Sequence, residues 1–249
     1  DSSTSEVGAL EMKGVTPTRY QVLARSSAAW KLVGCLPGVR PPLSRSFVAG
    51  DLAQAVFDPN RKLIYASNRS LNQIEIYDCV THKFRTPISV GSVPEGLDLT
   101  ADGKTLVVCC SGTSQLNLID VNAATPVVNR LTLPPNGSGL YRPIAVVCMA
   151  DNRAFVACKQ GPTSLLQLDL ASLQVTEHPT LKVSSSLVSL SRSQDRSRAV
   201  FSPSNGGFGT GFYHTQTQQW TEIDIPVLAG NARILNNGGS FLGRYVLDS

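Results

Sequence analysis

The chain of 249 residues contains a unit that repeats every 42 to 49 residues. Asp78, Asp120 and Asp169 each follow a short apolar run, and they lie 42 and 49 residues apart. The unit holds four segments of strand length separated by turn residues, which is the pattern of a β-propeller blade. Each small twisted sheet must bury both faces, and blades do so against one another around a central channel. The repeat therefore predicts an all-β propeller with four-stranded antiparallel blades.

The copies of the repeat also set the expected domain limits. The first three copies are clear and the last copies are weaker, so we count about four to five blades. We expect a linker or an incomplete preceding blade at 1–43 and propeller blades over 44–249. The blade limits that follow from the repeat are 44–91, 92–140, 141–183, 184–230 and a partial blade at 231–249.

Two kinds of turn residue recur with the strands. The pairs Asp102-Gly103 and Asp151-Asn152 place residues that tolerate positive φ where tight hairpins need them. The Asp after the third strand, such as Asp120, is predicted to cap the following turn with its carboxylate. His214 stands at this position in the fourth copy. We favour this structural role for the recurrent carboxylates over a ring that binds metal.

Charge and hydropathy exclude two classes of partner. Only 16% of the residues are charged, and the net charge is +4. Lys and Arg are scattered; the densest run, Arg192–Arg198, also contains Asp195, so we interpret it as a solvated loop and expect no nucleic-acid binding. No stretch approaches the roughly 18 apolar residues that a membrane helix needs, so we expect no transmembrane segment.

The six cysteines do not have the spacing of a metal site. No Cys-x-x-Cys or Cys/His zinc pattern is present, and we expect no metal and no cofactor. Cys109 and Cys110 are neighbours within one strand, so their side chains point to opposite faces and should not bond to each other. A role as small buried hydrophobes, rather than in disulfides, is expected for Cys109, Cys110, Cys148 and Cys158.

Two stretches resemble the repeat of the YVTN family of β-propellers. The first is Tyr65-Ala66-Ser67-Asn68 with the following Asn72–Asp78, and the second is the run from Val90 to Leu106 that contains Pro94-Glu95-Gly96 and Asp102-Gly103-Lys104. The resemblance covers 44–183 well and 184–249 more loosely. It implies a seven-bladed propeller, of which this chain would be a part, in an exported, periplasmic or cell-surface bacterial protein.

The candidate ligand-binding residues lie where the innermost strand of each blade begins. Because these starts converge on one concave surface at the channel mouth, a ligand is expected there. The residues near this point in successive blades are Asp51, Glu95, Arg142 and Ser186. The three histidines, His82, His178 and His214, fall in or beside predicted outer turns, and no catalytic residue is assigned.

These observations favour a non-catalytic binding or scaffold domain for an unknown protein or carbohydrate ligand. The alternative is a lactonase-like, metal-dependent hydrolase on the same fold, which would need carboxylate or His ligands clustered at the channel mouth. A quinone- or haem-dependent oxidoreductase has weaker support, because no Cys-x-x-Cys-His attachment site is present. Propeller folds host all three classes, so the fold does not choose among them.

Overall fold

The computed structural model describes residues 7–10, 21–26, 29–35, 48–135, 139–159, 163–183, 188–203, 210–223, 232–234, 240–242 and 245–247. The regular elements of this part of the chain are all strands. They are β1 Val7–Leu10, β2 Gln21–Ser26, β3 Ala29–Cys35, β4 Leu52–Asp58, β5 Leu63–Asn68, β6 Gln73–Asp78, β7 Lys83–Phe84, β8 Ile88–Ser89, β9 Pro94–Leu99, β10 Thr105–Cys110, β11 Gln115–Asp120, β12 Val127–Thr132, β13 Pro143–Cys148, β14 Arg153–Cys158, β15 Thr163–Asp169, β16 Val175–Val183, β17 Val188–Arg192, β18 Arg198–Pro203, β19 Thr210–His214, β20 Gln219–Ile223, β21 Ala232–Ile234, β22 Ser240–Leu242 and β23 Tyr245–Leu247.

Consecutive strands pair into antiparallel sheets, which confirms the predicted fold class. We name four of these sheets blade 1 (β4–β8), blade 2 (β9–β12), blade 3 (β13–β16) and blade 4 (β17–β20). Strands β1–β3 and β21–β23 form two further three-stranded sheets. The division at 44–91, 92–140, 141–183, 184–230 and 231–249 stays a prediction.

The outer edge of blade 1 is divided. Two short strands, β7 and β8, pair with different parts of β6. Pro87 lies between them, and proline has no N–H to donate to a ladder. The edge strand is therefore interrupted where the proline occurs.

The first strand of each blade is the innermost one. Strand β9 lies against both β4 and β13, while β13 lies against β17 and β17 against β21. Since these strands follow one another in space as their blades do along the chain, they surround a common axis. This arrangement is that of a β-propeller.

The hydrophobic core consists of layers between neighbouring blades. Along β10, Leu106, Val108 and Cys110 pack with side chains of blade 1. The alternate residues Val107 and Cys109 pack with side chains of blade 3. Burying such side chains stabilises the fold by about 1.5–3 kcal/mol each, so both faces of the sheet contribute.

The cysteine predictions are confirmed for the described residues. Cys79, Cys109, Cys110, Cys148 and Cys158 are free thiols, and the last four are buried. Cys109 and Cys110 belong to different interblade layers, as their adjacent positions in one strand require. Burial is the main cause that raises the pKa of Cys110 to about 11. These thiols therefore act as small hydrophobic side chains.

The predicted turn caps are present after the third strand of the blades. The Asp120 carboxylate accepts hydrogen bonds from the backbone N–H groups of Asn122, at 2.8 Å, and Ala123, at 3.2 Å. Asp78 and Asp169 make the same pair of bonds in blades 1 and 3. In blade 4 the place of the carboxylate is taken by His214, whose Nδ1 accepts one bond at 3.1 Å from Gln216.

The turn residues with positive φ are only partly those expected. Gly103 and Asn152 adopt φ of 68° and 67°, as their residue types suggest. Ordinary side chains occupy this conformation in other turns, including Lys62, Leu173 and Gln218. Their residue types carry no sequence signal for such a turn.

No helix of the described residues is long and apolar enough to cross a membrane.

Candidate functional site

The innermost strands of blades 1, 2 and 3 begin at the same end of the propeller, which we call the mouth. At this end the residue after the second strand donates its backbone N–H to the carbonyl oxygen of the residue before the first strand. The N···O distances are 2.8 Å for Arg69 and Asp51, 3.0 Å for Ser111 and Val93, and 2.7 Å for Lys159 and Arg142. We call these three couples the rim pairs of blades 1, 2 and 3.

The rim pair of blade 1 is joined to blade 2 by ion pairs. Arg69 Nη1 lies 3.3 Å from Asp51 Oδ2, while its Nε lies 2.8 Å from Glu95 Oε2. The Arg69 and Asp51 side chains are 40% and 45% exposed, and that of Glu95 is 19% exposed. Arg69 therefore balances two carboxylates from neighbouring blades at a partly solvated site.

The pKa of Arg69 reflects this arrangement. Burial alone would lower the pKa, but the hydrogen bond to Glu95 and the charges of Glu95 and Asp51 raise it above its ordinary value. The guanidinium therefore stays charged. The three side chains therefore form a charged, polar surface at the mouth.

The backbone around Glu95 is fixed by contacts with blades 1 and 3. Ser67 Oγ donates to the Glu95 carbonyl oxygen at 2.5 Å. Gly96 lies so close to β13 that a Cβ there would be 2.6 Å from Ala145 Cα. Gln54 of blade 1 accepts a bond from the Leu97 N–H at 3.3 Å. The Glu95 carboxylate is thus presented from a packed strand rather than from a loop.

The four residues predicted from the sequence are only partly brought together. Asp51 and Glu95 share Arg69, whereas Arg142 lies outside this cluster and is exposed. Ser186 lies outside the described residues. Sequence reasoning missed Arg69 and Lys159, which lie one residue beyond second strands. Aligning the ends of the second strands, as well as the starts of the first, would have found them.

A second charged cluster lies at the opposite end of the innermost strands. Asp98 on β9 accepts bonds from Arg192 Nε at 2.6 Å and Arg192 Nη2 at 2.7 Å. The same carboxylate accepts the Cys148 N–H at 2.8 Å. Arg196 Nη1 donates to the carbonyl oxygens of Leu99 and Cys148 at 2.6 and 2.8 Å. The cluster connects blades 2, 3 and 4.

This cluster corrects the interpretation of Arg192–Arg198 as a solvated loop. The Arg192 and Arg196 side chains are only 18% and 16% exposed. Burial alone would lower the pKa of Arg192, but hydrogen bonds to Asp98 and its charge raise it. The run looked like a loop because its buried acidic partner lies 94 residues away in the chain. Every charge in the cluster has a partner, so its role is structural.

The described histidines lie away from the mouth. His82 occupies a turn residue with φ of 57°, and its Nδ1 lies 3.5 Å from Tyr77 Oη. His214 caps a turn. The expectation that His178 lies in or beside a turn is wrong, because His178 is part of β16 and its ring contacts Trp220. Among the described residues no group of three His, Cys, Asp or Glu could hold a metal.

Comparison with known proteins agrees with the architecture. Residues 39–139 match the family model "Lactonase, 7-bladed beta-propeller". No curated protein matches the chain. Since the family match covers residues 39–139 of 249, it places this part of the chain in the class of β-propellers without extending to the whole.

Solved structures with the same fold include several enzymes. Hydrazine synthase of Kuenenia stuttgartiensis superposes with a TM-score of 0.69 and 16% identity, over 91% of this chain and 70% of that one. A streptogramin B lyase gives 0.68 and 13%, over 96% and 80%. Virginiamycin B lyase of Staphylococcus aureus gives 0.63 and 14%, over 92% and 77%. At these identities the likeness defines the fold class, and the chain is a β-propeller.

Proposed function

We propose that this chain is a non-catalytic binding propeller that holds its ligand at the mouth. The observation that carries the proposal is the position of Arg69 between Asp51 and Glu95. A cation already occupies the space between the two carboxylates, so they do not fit a divalent metal. The mouth instead presents charged side chains from three blades at the ends of paired strands, which suits recognition.

The proposed ligand is a protein segment or a carbohydrate. Both carry the hydrogen-bonding groups that Asp51, Arg69 and Glu95 can contact at their exposed edges. We further propose that the protein is exported or displayed on a bacterial cell surface and that its repeats are of the YVTN type. These two statements rest on the resemblance of 65–78 and 90–106 to that repeat.

An array of immobilised neutral and anionic oligosaccharides would test the binding function. We expect at least one to bind the chain, and we expect Glu95→Ala and Arg142→Ala to weaken that binding. Lys104→Ala is the matched control, because Lys104 forms an exposed pair with Asp102 in a turn at the opposite end. Binding that is unchanged by both mouth substitutions, or is lost in the control, would contradict a ligand site at the mouth.

A lactonase-like, metal-dependent hydrolase remains the second candidate. It is favoured by the family model that matches residues 39–139. The test is to incubate the chain with γ- and δ-lactones in the presence of Ca²⁺ or Zn²⁺ and to follow the acid released. Hydrolysis that requires the metal and is abolished by Glu95→Ala would replace the binding proposal, because the mouth would then be a catalytic site.

A further inference from the structure

The rim pair of blade 3, Arg142 and Lys159, differs in charge from the corresponding pairs of blades 1 and 2. The strand register defines the correspondence, because Leu52 pairs with Asn68, Pro94 with Cys110, and Pro143 with Cys158. The rim pairs lie one residue beyond each of these couples. They are Asp51 with Arg69, Val93 with Ser111, and Arg142 with Lys159.

Blade 1 has an acid and a base at this position, and blade 2 has two neutral residues. Blade 3 has two cations directly opposite each other, which is a destabilising arrangement for an antiparallel pair. Both Arg142 and Lys159 are exposed. Within the described part of the chain, neither side chain has an ion pair. The pair therefore costs stability unless an anion binds to it.

The next blade does not supply the missing carboxylate. In blade 1 the side chain of Arg69 reaches the following blade, where it meets Glu95. Val188 pairs with Pro203 as Pro94 pairs with Cys110, so the residue of blade 4 that corresponds to Glu95 is Ser189. The connecting segments 160–162, 184–187 and 204–209 contain neither Asp nor Glu. No acidic residue of these segments can complete the pair.

One carboxylate of blade 3, that of Glu177, lies on the other side of the sheet. It hydrogen-bonds the hydroxyl of Tyr141, and burial together with this bond raises the pKa of Tyr141 to about 12. Tyr141 and Cys158 pack in the layer that faces blade 2. Because side chains alternate along a strand, Arg142 and Lys159 face blade 4 instead. Glu177 is therefore engaged elsewhere.

We propose that Arg142 and Lys159 form a subsite for an oxyanion, a carboxylate or a phosphate carried by the ligand. A guanidinium can bind two oxygens of such a group side by side, while the ammonium adds a mobile positive charge. This inference deepens the proposed function, since it places an anionic group of the ligand at the mouth. It also explains why two cations face each other where blade 1 has a salt bridge.

Inorganic phosphate and succinate are the probes that test this subsite. Each is titrated into the full chain at constant ionic strength, because salt screens exposed charges. We expect at least one probe to bind with a dissociation constant of about 1 mM or lower. Arg142→Gln and Lys159→Gln should each weaken that binding about tenfold, as the loss of one charge-assisted hydrogen bond predicts. Arg130→Gln, on exposed strand β12, is the matched control.

Lys159→Glu gives the sharpest outcome. It turns the like-charge pair into a salt bridge of the blade 1 type, so the melting temperature in phosphate-free buffer should rise while binding of both probes is lost. Phosphate binding without succinate binding would assign the subsite to a phosphate, and the reverse to a carboxylate. Failure of both probes to bind, or binding unchanged by Lys159→Glu, would overturn the inference. If Glu95→Ala still weakened oligosaccharide binding in that case, the mouth would remain a binding site without this subsite.

Discussion

Arg192 and Asp98 form an ion pair with two hydrogen bonds although they belong to blades 4 and 2. The inner strand of blade 3 lies between them, and its Cys148 N–H binds the same carboxylate. The Asp98 side chain is only 6% exposed. A buried carboxylate of this kind is tolerated because all its bonds are made, and it fixes the relative position of three blades.

Asp98→Asn should therefore be strongly destabilising. The substitution leaves two half-buried guanidinium groups without their counter-charge, and breaking a buried pair in this way costs about 3 kcal/mol or more. The free energy of unfolding from urea titration measures the effect. Lys104→Ala removes an exposed pair and should cost less than about 1 kcal/mol. Equal small effects in both variants would show that the Asp98 cluster does not hold the blades together.

His214→Asp should stabilise the protein. His214 Nδ1 accepts one backbone N–H, from Gln216, whereas Asp120 at the corresponding position accepts two. A carboxylate would add one hydrogen bond, for a gain of about 1 kcal/mol. Thermal unfolding measures the change. His214→Ala removes the existing bond and should have the opposite sign, so stabilisation by both variants would contradict the capping role.

The repeat allowed the blades and turn caps to be predicted because both depend on residues close in sequence. Alternation along a strand and an Asp followed by a turn are local patterns, and β10 with Asp120 shows both. Asp51 and Glu95 were found at the mouth because their positions relative to strand starts could be counted. Whether they bind a ligand stays a prediction.

The long-range partners could not be predicted in this way. Arg69 reaches Glu95 in the next blade, and Arg192 reaches Asp98 across 94 residues. Such pairs depend on how far one blade is rotated against the next, which no local pattern encodes. An arginine is the same residue in the sequence whether its side chain is buried or exposed in the fold. For this reason the run Arg192–Arg198 was interpreted as solvated.

Val93→Gly should relieve backbone strain at the mouth. Val93 has a φ of 53°, a conformation that a β-branched residue adopts only at a cost of about 1–3 kcal/mol. It is held there because its N–H binds Asn72 Oδ1 and its carbonyl oxygen accepts the Ser111 N–H. Glycine loses about 0.5–1 kcal/mol in entropy, so a net gain of about 1 kcal/mol is expected.

Gly103→Ala is the matched control for this prediction. Gly103 has a φ of 68°, so an added Cβ should destabilise the protein by about 1 kcal/mol. Urea unfolding of both variants gives the two signs directly. A loss of stability in Val93→Gly as large as that in Gly103→Ala would mean that packing of the valine side chain outweighs the strain of its backbone.

Acid should destabilise the fold through its capping carboxylates. Backbone N–H and hydroxyl donors, helped at Asp78 by Arg85, lower the pKa of Asp78, Asp102, Asp169 and Asp195. Their unfolded pKa is about 3.9, so below about pH 5 the unfolded chain binds more protons than the folded one. The free energy of unfolding should be insensitive to these groups from pH 5 to 7 and fall as the pH drops through their lowered pKa values.

Urea midpoints between pH 2 and pH 7 measure the slope, which Asp78→Asn should reduce. A stability that is constant down to pH 2 would contradict the hydrogen bonds that lower these pKa values.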